Sequence, residues 1–266
     1  MRALYLLLGD PVAHSRSPAI HARAFQLLGV DAVYAPCRVT DPARAVEAAR
    51  VLGVAGFNVT VPHKEAIARL VDTIHPTAAR IGAVNCVKRE VDSLVGHNTD
   101  APGLLRALKA RGIDPSGARV VIVGAGGSAR AAAWALAPHA AQITILNRTE
   151  SKARALASLV RAAGCAAEAG SLEATAPLRE ATLVVQCTSI GLNTNELPFD
   201  PAIVKGALVD LVYAPGGPTE LLRRFSGPKV DGIDVLVHQA IASLEIWLGR
   251  PQLDELAVPL REAALA

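Results

Sequence analysis

The chain has 266 residues, 51% hydrophobic and 19% charged, with 27 Lys and Arg against 24 Asp and Glu for a formal net charge of +3. That length builds one or two domains with well-filled cores. So mild a charge, with no run of basic residues and aromatics at only 3%, argues against a nucleic-acid surface, and no apolar run approaches the ~20 residues of a membrane span.

The opening MRALYLLLGD has the apolar run of a signal peptide, but Gly9-Asp10-Pro11 stands where a small-residue cleavage site would be, so 4–8 reads as a strand. A helical pattern follows over 18–28, an alternating strand over 32–39 and a helix near 43–52. The segment GFNVTV (56–61) reads as a strand broken at Pro62, followed by a helix near 63–71. AVNCV (83–87) and LVG (94–96) suggest a hairpin, closed by NTDAPG (98–103). A second series begins near Arg119: RVVIVGAGGSARAAAWAL and QITILNRTESKARALASLV are each strand then helix. ATLVVQCTSIG and GALVDLVYAPGG give strands ending in polar loops. KVDGIDVLVHQA carries a short strand into a long helix, and a last helix lies near 252–264. The alternation is α/β, with a domain boundary in NTDAPG.

Two anion sites stand out. In VVIVGAGGSARAA, Gly124, Gly126 and Ala129 form GxGxxA between a strand and a helix. Glycine permits the tight turn and close approach of a pyrophosphate, which the helix N-terminus then faces. The next strand ends in Asn147-Arg148-Thr149, with Lys152 one turn on. With no acid to hold a 2′-hydroxyl and two cations to attract a 2′-phosphate, the cofactor reads as NADP. In GDPVAHSRSP, Ser17 before Pro18 reads as a helix N-cap, with Ser15 two residues earlier, a pair suited to a carboxylate.

Other polar residues fall at strand ends. Asn58 and Thr60 share one strand face, Lys64 sits at a helix start where the helix dipole disfavours a cation, Asn85 interrupts an apolar strand, and Asp100 opens a helix. His14, His21 and His63 read as non-catalytic. The cysteines Cys37, Cys86, Cys165 and Cys187 have no metal-ligand or CxxC spacing. They read as small buried hydrophobes of a reducing cytoplasm, and no metal is expected.

Taken together, SRSP, GFNVTVPHK, GAVN, NTDAPG, GAGGSARA, NRTESKA, DLVY and VHQA, in this order over essentially the whole chain, resemble the shikimate dehydrogenase family. The resemblance implies reversible NADPH-dependent reduction of 3-dehydroshikimate to shikimate by a cytoplasmic monomer or homodimer. It implies an α/β fold of two domains, an N-terminal substrate domain (1–101 plus 237–266) and a Rossmann-type doubly wound NADP-binding domain (102–236). Ser15 and Ser17 would bind the substrate carboxylate. Thr60, Asn85 and Gln239 would bind its hydroxyls with Asn58 in support, Lys64 and Asp100 would be the catalytic pair, and Tyr213 would lie near the substrate. Gly124, Ala125, Gly126, Gly127, Ser128, Ala129, Asn147, Arg148, Thr149, Lys152 and Thr188 would hold the cofactor, with Leu211 and Gly232 near the nicotinamide.

The chain departs from the family pattern in three places: Gln186-Cys187-Thr188 replaces Asn-Ala-Thr, Val235 beside Asp234 replaces a methionine, and the loop APGGPTELL after Tyr213 is one residue longer. The rival readings are a quinate/shikimate dehydrogenase using NAD, which Asn147-Arg148-Thr149 argues against, and a non-catalytic NADP-binding sensor, which has no need of Lys64 with Asp100.

Overall fold

The computed structural model describes residues 2–192, 194–213 and 217–266. The chain divides into two compact units: residues through Gly103 together with Leu236–Ala266, and Leu104–Val235.

The first unit holds strands β1 (Ala3–Gly9), β2 (Ala32–Arg38), β3 (Gly56–Val59), β4 (Thr73–Ile74), β5 (Cys86–Glu90) and β6 (Ser93–His97). Its helices are α1 (Ser17–Leu28), α2 (Pro42–Val51), α3 (Lys64–Ile67), α4 (Pro76–Ile81) and the start of α5 (Asp100–Ala110). The sheet order is β2-β1-β3-β5-β6-β4. β1 is parallel to β2 and β3, whereas β5 is antiparallel to β3 and β6. This mixed sense gathers the C-terminal ends of β1, β3 and β6 and the start of β5 at one end of the sheet. There Thr60 N–H donates to Leu8 O (2.9 Å), Val59 N–H to Asn85 O (2.9 Å) and Asn85 N–H to His97 O (3.1 Å). Leu8, Phe57, Val59, Ile67, Val87 and Leu94 pack in one core cluster behind that end. On α1 the buried stripe Ser17, Ile20, His21, Ala24 and Phe25 has helical spacing, and the helix stops at Gly29, whose φ of 63° suits a residue without Cβ.

Several boundaries differ from expectation. The strand expected over 56–61 stops at Val59, since Pro62 has no N–H to extend the ladder. The helix expected over 63–71 is a single turn. Asp72, bound by Arg50 (2.7 and 2.9 Å) and by Leu94 N–H (2.7 Å), draws the chain instead to the sheet edge as β4, beside β6. The hairpin strand starts at Cys86, so Asn85 stands just ahead of it.

The second unit holds β7 (Arg119–Val123), α6 (Gly127–Leu136), β8 (Gln142–Leu146), α7 (Glu150–Ala162), β9 (Ala166–Gly170), α8 (Ala176–Glu180), β10 (Leu183–Gln186), β11 (Ala207–Asp210), α9 (Glu220–Arg224) and β12 (Lys229–Val230). All six strands are parallel, in the order β12-β11-β10-β7-β8-β9. That is a doubly wound sheet whose order reverses between β7 and β10, where such sheets bind ligands. One core lies under α6, where Ala129, Ala132 and Ala133 let the helix approach Val120 and Ile122 closely. A second, with Phe199, Leu221 and Phe225, fills the other face. α10 (Gly232–Leu248) returns the chain to the first unit. The expected last helix divides into a 3-10 turn, Asp254–Leu256, and α11 (Ala257–Leu265). Among the described residues no helix is long and apolar enough to cross a membrane.

Candidate active site

The gathered end of the first sheet carries a connected polar cluster. Lys64 opens α3 and Asp100 opens α5; Lys64 Nζ donates to Asp100 Oδ2 at 2.6 Å, with side chains only 13% and 17% exposed. The other carboxylate oxygen, Oδ1, accepts from Asn85 Nδ2 (2.8 Å). Asn85 is buried, and its Oδ1 accepts from Thr99 N–H (2.6 Å). Its two N–H bonds face three acceptors, of which Asp100 Oδ1 and Thr99 Oγ1 (2.9 Å) are nearer than Gln239 Oε1 (3.2 Å). Gln239 comes from α10 and donates to Leu236 O (3.0 Å). A Cβ on Gly103 would meet Gln239 Cβ, N and Cα at 2.7–2.9 Å, so that glycine is what lets α5 lie against Gln239.

Asn58 is buried with both N–H bonds engaged, to Asn85 O (3.1 Å) and Ser243 Oγ (3.0 Å), while its Oδ1 accepts from Tyr34 O–H (3.0 Å). It braces the site from behind. Thr60 is half-buried just past β3, and its Oγ1 forms no hydrogen bond among the described residues. A Cβ on Gly9 would overlap Thr60 Cγ2, so the bare backbone of Gly9 seats the Thr60 methyl.

The serine segment corrects the expectation of a Ser17 cap. Ser17 is the first residue inside α1; Arg16 holds the cap position, with no side-chain cap. Ser15 Oγ accepts Ser17 N–H (3.2 Å) and so stabilises the turn, which leaves the Ser17 hydroxyl without a capping role. Below it His21 is fully buried, with Nδ1 2.9 Å from Ser17 O and its ring stacked on Tyr34 at 4.0 Å and 4°. Burial holds this imidazole down to about 4, only partly opposed by the Ser17 carbonyl. His63 is also buried, its Nε2 2.7 Å from Val39 O, and His14 is half-buried. Thr99, Ser243 and Tyr34 are the members of this cluster that the sequence did not disclose.

The second unit carries the glycine loop. Gly124, at the end of β7, has φ of 117°. A Cβ there would crowd the Cys187 backbone and Thr188 Cγ2 at 3.2–3.3 Å, across the point where strand order reverses. Ala125 leads to Gly126, which holds the cap position of α6 with no side-chain cap. A Cβ on Gly126 would stand in open space, so packing does not require this glycine. Gly127 and Ser128 form the first turn, and Ala129 is buried against the sheet. An uncapped helix N-terminus with open room before it fits a pyrophosphate. At the end of β8, Asn147 Nδ2 donates to Thr149 O (2.9 Å), and Arg148, Thr149 and Lys152 are exposed. Two cations at this strand end fit a 2′-phosphate.

The departures have structural roles in this unit. Gln186 is buried and ties the loop after β10 together, accepting from Thr188 N–H (2.8 Å) and donating to Thr188 O (3.3 Å) and Ile190 O (3.2 Å). Asp234 accepts from Arg111 at 2.6 and 2.8 Å, and Val235 joins the core. Leu211 N–H donates to Gln186 O (3.0 Å). A Cβ on Gly232 would meet Leu211 O and Val212 O at 2.7 Å, so that glycine allows close backbone packing. Tyr213 is half-buried in this unit; residues 214–216 of the expected longer loop lie outside the described residues. Before it, Asp210 is buried and its carboxyl is pushed up to about 6 by burial, despite donation from Thr219 O–H (2.6 Å) and Val212 N–H (3.0 Å). Among the described residues no group of three or more His, Cys, Asp or Glu could hold a metal ion.

Residues 7–87 match the model of the shikimate dehydrogenase substrate-binding domain, and residues 107–193 that of shikimate/quinate 5-dehydrogenase. The chain belongs to the shikimate dehydrogenase family. It is 43% identical to the shikimate dehydrogenase (NADP(+)) of Methanothermobacter thermautotrophicus, covering 96% of this chain and 94% of that one. Among solved structures it resembles shikimate 5-dehydrogenase of Thermus thermophilus in complex with NADP(H) and shikimate, at 36% identity and a TM-score of 0.85, covering 98% and 99% of the two chains. It also resembles 5-ketofructose reductase of a Gluconobacter strain, at 35% identity and a TM-score of 0.85, covering 98% of each. The fold therefore also carries a ketone reductase with another substrate.

Proposed function

We propose that the protein is a shikimate dehydrogenase, an oxidoreductase that reversibly reduces 3-dehydroshikimate to shikimate with NADPH, on the route to chorismate and the aromatic amino acids. The observation that carries this reading is the Lys64–Asp100 pair joined to Asn85 at the strand ends of the first unit. That unit, with Ser15, Ser17, Thr60, Asn85 and Gln239, takes the substrate; the second takes NADP(H) on the Gly124–Ala129 turn and at Arg148 and Lys152. The four cysteines form no disulfide among the described residues, which suits a reducing cytoplasm. The chain acts as a monomer or homodimer.

NADPH supplies the hydride. As the carbonyl carbon receives it, negative charge grows on the carbonyl oxygen. The Lys64 ammonium donates a hydrogen bond to that oxygen and then its proton, giving the alcohol. Asp100 holds Lys64 by one oxygen and accepts from the adjacent ring hydroxyl, and Lys64 regains a proton from solvent. The Ser15 and Ser17 hydroxyls donate to the substrate carboxylate. The Thr60 hydroxyl and the amides of Asn85 and Gln239 read the ring hydroxyls.

The test is oxidation of shikimate, with quinate as comparison, using NADP+ and NAD+ in parallel and following reduced nicotinamide by absorbance. Fast reaction with NADP+ and shikimate is expected, and Arg148→Ala should raise the KM for NADP+ at least tenfold while leaving that for NAD+ within twofold. Equal rates with NAD+ or quinate would move the assignment to the broader quinate/shikimate class. No reduction with NADP+ bound would favour the sensor.

A further inference from the structure

The buried residues behind the site form a connected chain that the catalytic scheme does not use. His21 contacts the carbonyl of Ser17, on the serine wall, and its ring lies flat on Tyr34. Tyr34 O–H donates to Asn58 Oδ1, and Asn58 donates to the backbone carbonyl of Asn85 and to Ser243 Oγ, on the amide wall. Ser243 donates in turn to Gln239 O (3.0 Å) and lies 3.1 Å from Thr99 Oγ1, beside Asn85 and Gln239.

The Asn85 carbonyl, which can only accept, decides which way the Asn58 amide faces. Both partners on the Nδ2 side, a carbonyl and a hydroxyl oxygen, can accept. A flipped amide would set Oδ1 against the Asn85 carbonyl, where no proton lies between them. The Tyr34 hydroxyl completes this arrangement by donating to Oδ1 on the opposite side. Without it Oδ1 is a buried acceptor with no partner, and the amide that pins the Asn85 peptide is held on one side only.

We propose that Tyr34, with Ser243 as its counterpart across Asn58, is a positioning residue that holds the hydroxyl-reading amides of Asn85 and Gln239 in register with the serine wall. This rests on the shikimate dehydrogenase reading. It predicts an effect on substrate affinity without contact with the substrate, and none on the cofactor, whose proposed residues lie in the other unit.

The experiment compares wild type, Tyr34→Phe, Ser243→Ala and the double variant in shikimate oxidation with NADP+, beside thermal unfolding of each. Tyr34→Phe keeps the ring on His21 and removes only the hydroxyl. Its KM for shikimate should rise about tenfold, with kcat within threefold and the KM for NADP+ within twofold of wild type. The double variant should show less than the product of the single effects, because both act through Asn58. Should Tyr34→Phe not fold, Ser243→Ala carries the same expectation. An active wild type with an unchanged shikimate KM in the variants overturns this proposal alone, as does a joint rise in both KM values or full multiplication of the two effects. A wild type that does not oxidise shikimate overturns the family reading and this proposal with it.

Discussion

Replacing His21 with Phe should raise stability relative to the wild type as pH falls from neutral to acid. His21 is fully buried, and burial lowers its pKa from 6.5 to about 4. The folded state therefore binds the proton less tightly than the unfolded chain, so this residue's contribution to stability is whole above 6.5 and is lost as pH falls toward 4. That difference in pKa destabilises the wild type by about 2 kcal/mol between about pH 8 and about pH 5. Phe keeps a ring against Tyr34 but cannot titrate. It loses the contact to Ser17 O, about 1 kcal/mol for a hydrogen bond, but also removes Nε2, a buried atom with no partner among the described residues, so these offsets oppose each other while the variant gains on the wild type as pH falls from about 8 to about 5. Repacking adds an offset but no slope. The assay is urea unfolding of the full chain in a Trp134→Phe background, read by Trp247, whose ring lies 5.4 Å from His21. A stability difference that stays constant across the two pH values would refute the reasoning.

Lys64→Ala should lower kcat by roughly 10²–10⁴, the range of general acid catalysis, with the KM for shikimate within a few-fold; steady-state kinetics at saturating NADP+ checks it, and an unchanged kcat would remove Lys64 from the mechanism. Ser17→Ala should chiefly weaken shikimate binding by calorimetry, with retained affinity returning the hydroxyl to a structural role. Gly9→Ala should displace the Thr60 methyl and raise the shikimate KM, and Thr60→Ser, which deletes that methyl and keeps the hydroxyl, should recover part of the loss in the double variant. Asp210 has the opposite sign to His21. Its folded pKa is raised from 3.8 to about 6, so its contribution is whole below 3.8 and lost as pH rises through 6. Relative to Asp210→Asn, the second unit should lose about 2 kcal/mol between about pH 4 and about pH 7; parallel urea-unfolding profiles would contradict this.

Lys64 was legible because a cation at a helix start opposes the dipole, and Asn85 because an amide stands within an apolar run of sequence. Ser17 was misread by one position: Ser-Pro carries the pattern of a cap, but the turn made by Ser15 moves the helix start back. Helix α3 was overextended because the force that ends it is tertiary, Asp72 held by Arg50 and Leu94. β9, of sequence AAEAG, has no β-branched residue to announce a strand, and pairing with β8 alone defines it. Thr99 and Ser243 could not be found locally. Each is an ordinary hydroxyl in sequence and acquires a role only through the other, 144 positions away.

The division of the chain also sets an order of events during synthesis. The nucleotide unit, Leu104–Val235, is continuous and can close as soon as it leaves the ribosome. The substrate unit begins first and is finished last. Until α10 emerges, Asn58 lacks Ser243, the Val87 carbonyl lacks the indole N–H of Trp247 (3.0 Å), and Gly103 faces no Gln239. Asn58 and the Val87 carbonyl therefore each wait, one partner short, for a segment more than a hundred residues downstream, and truncation within α10 should leave a folded nucleotide-binding half joined to an unfinished one.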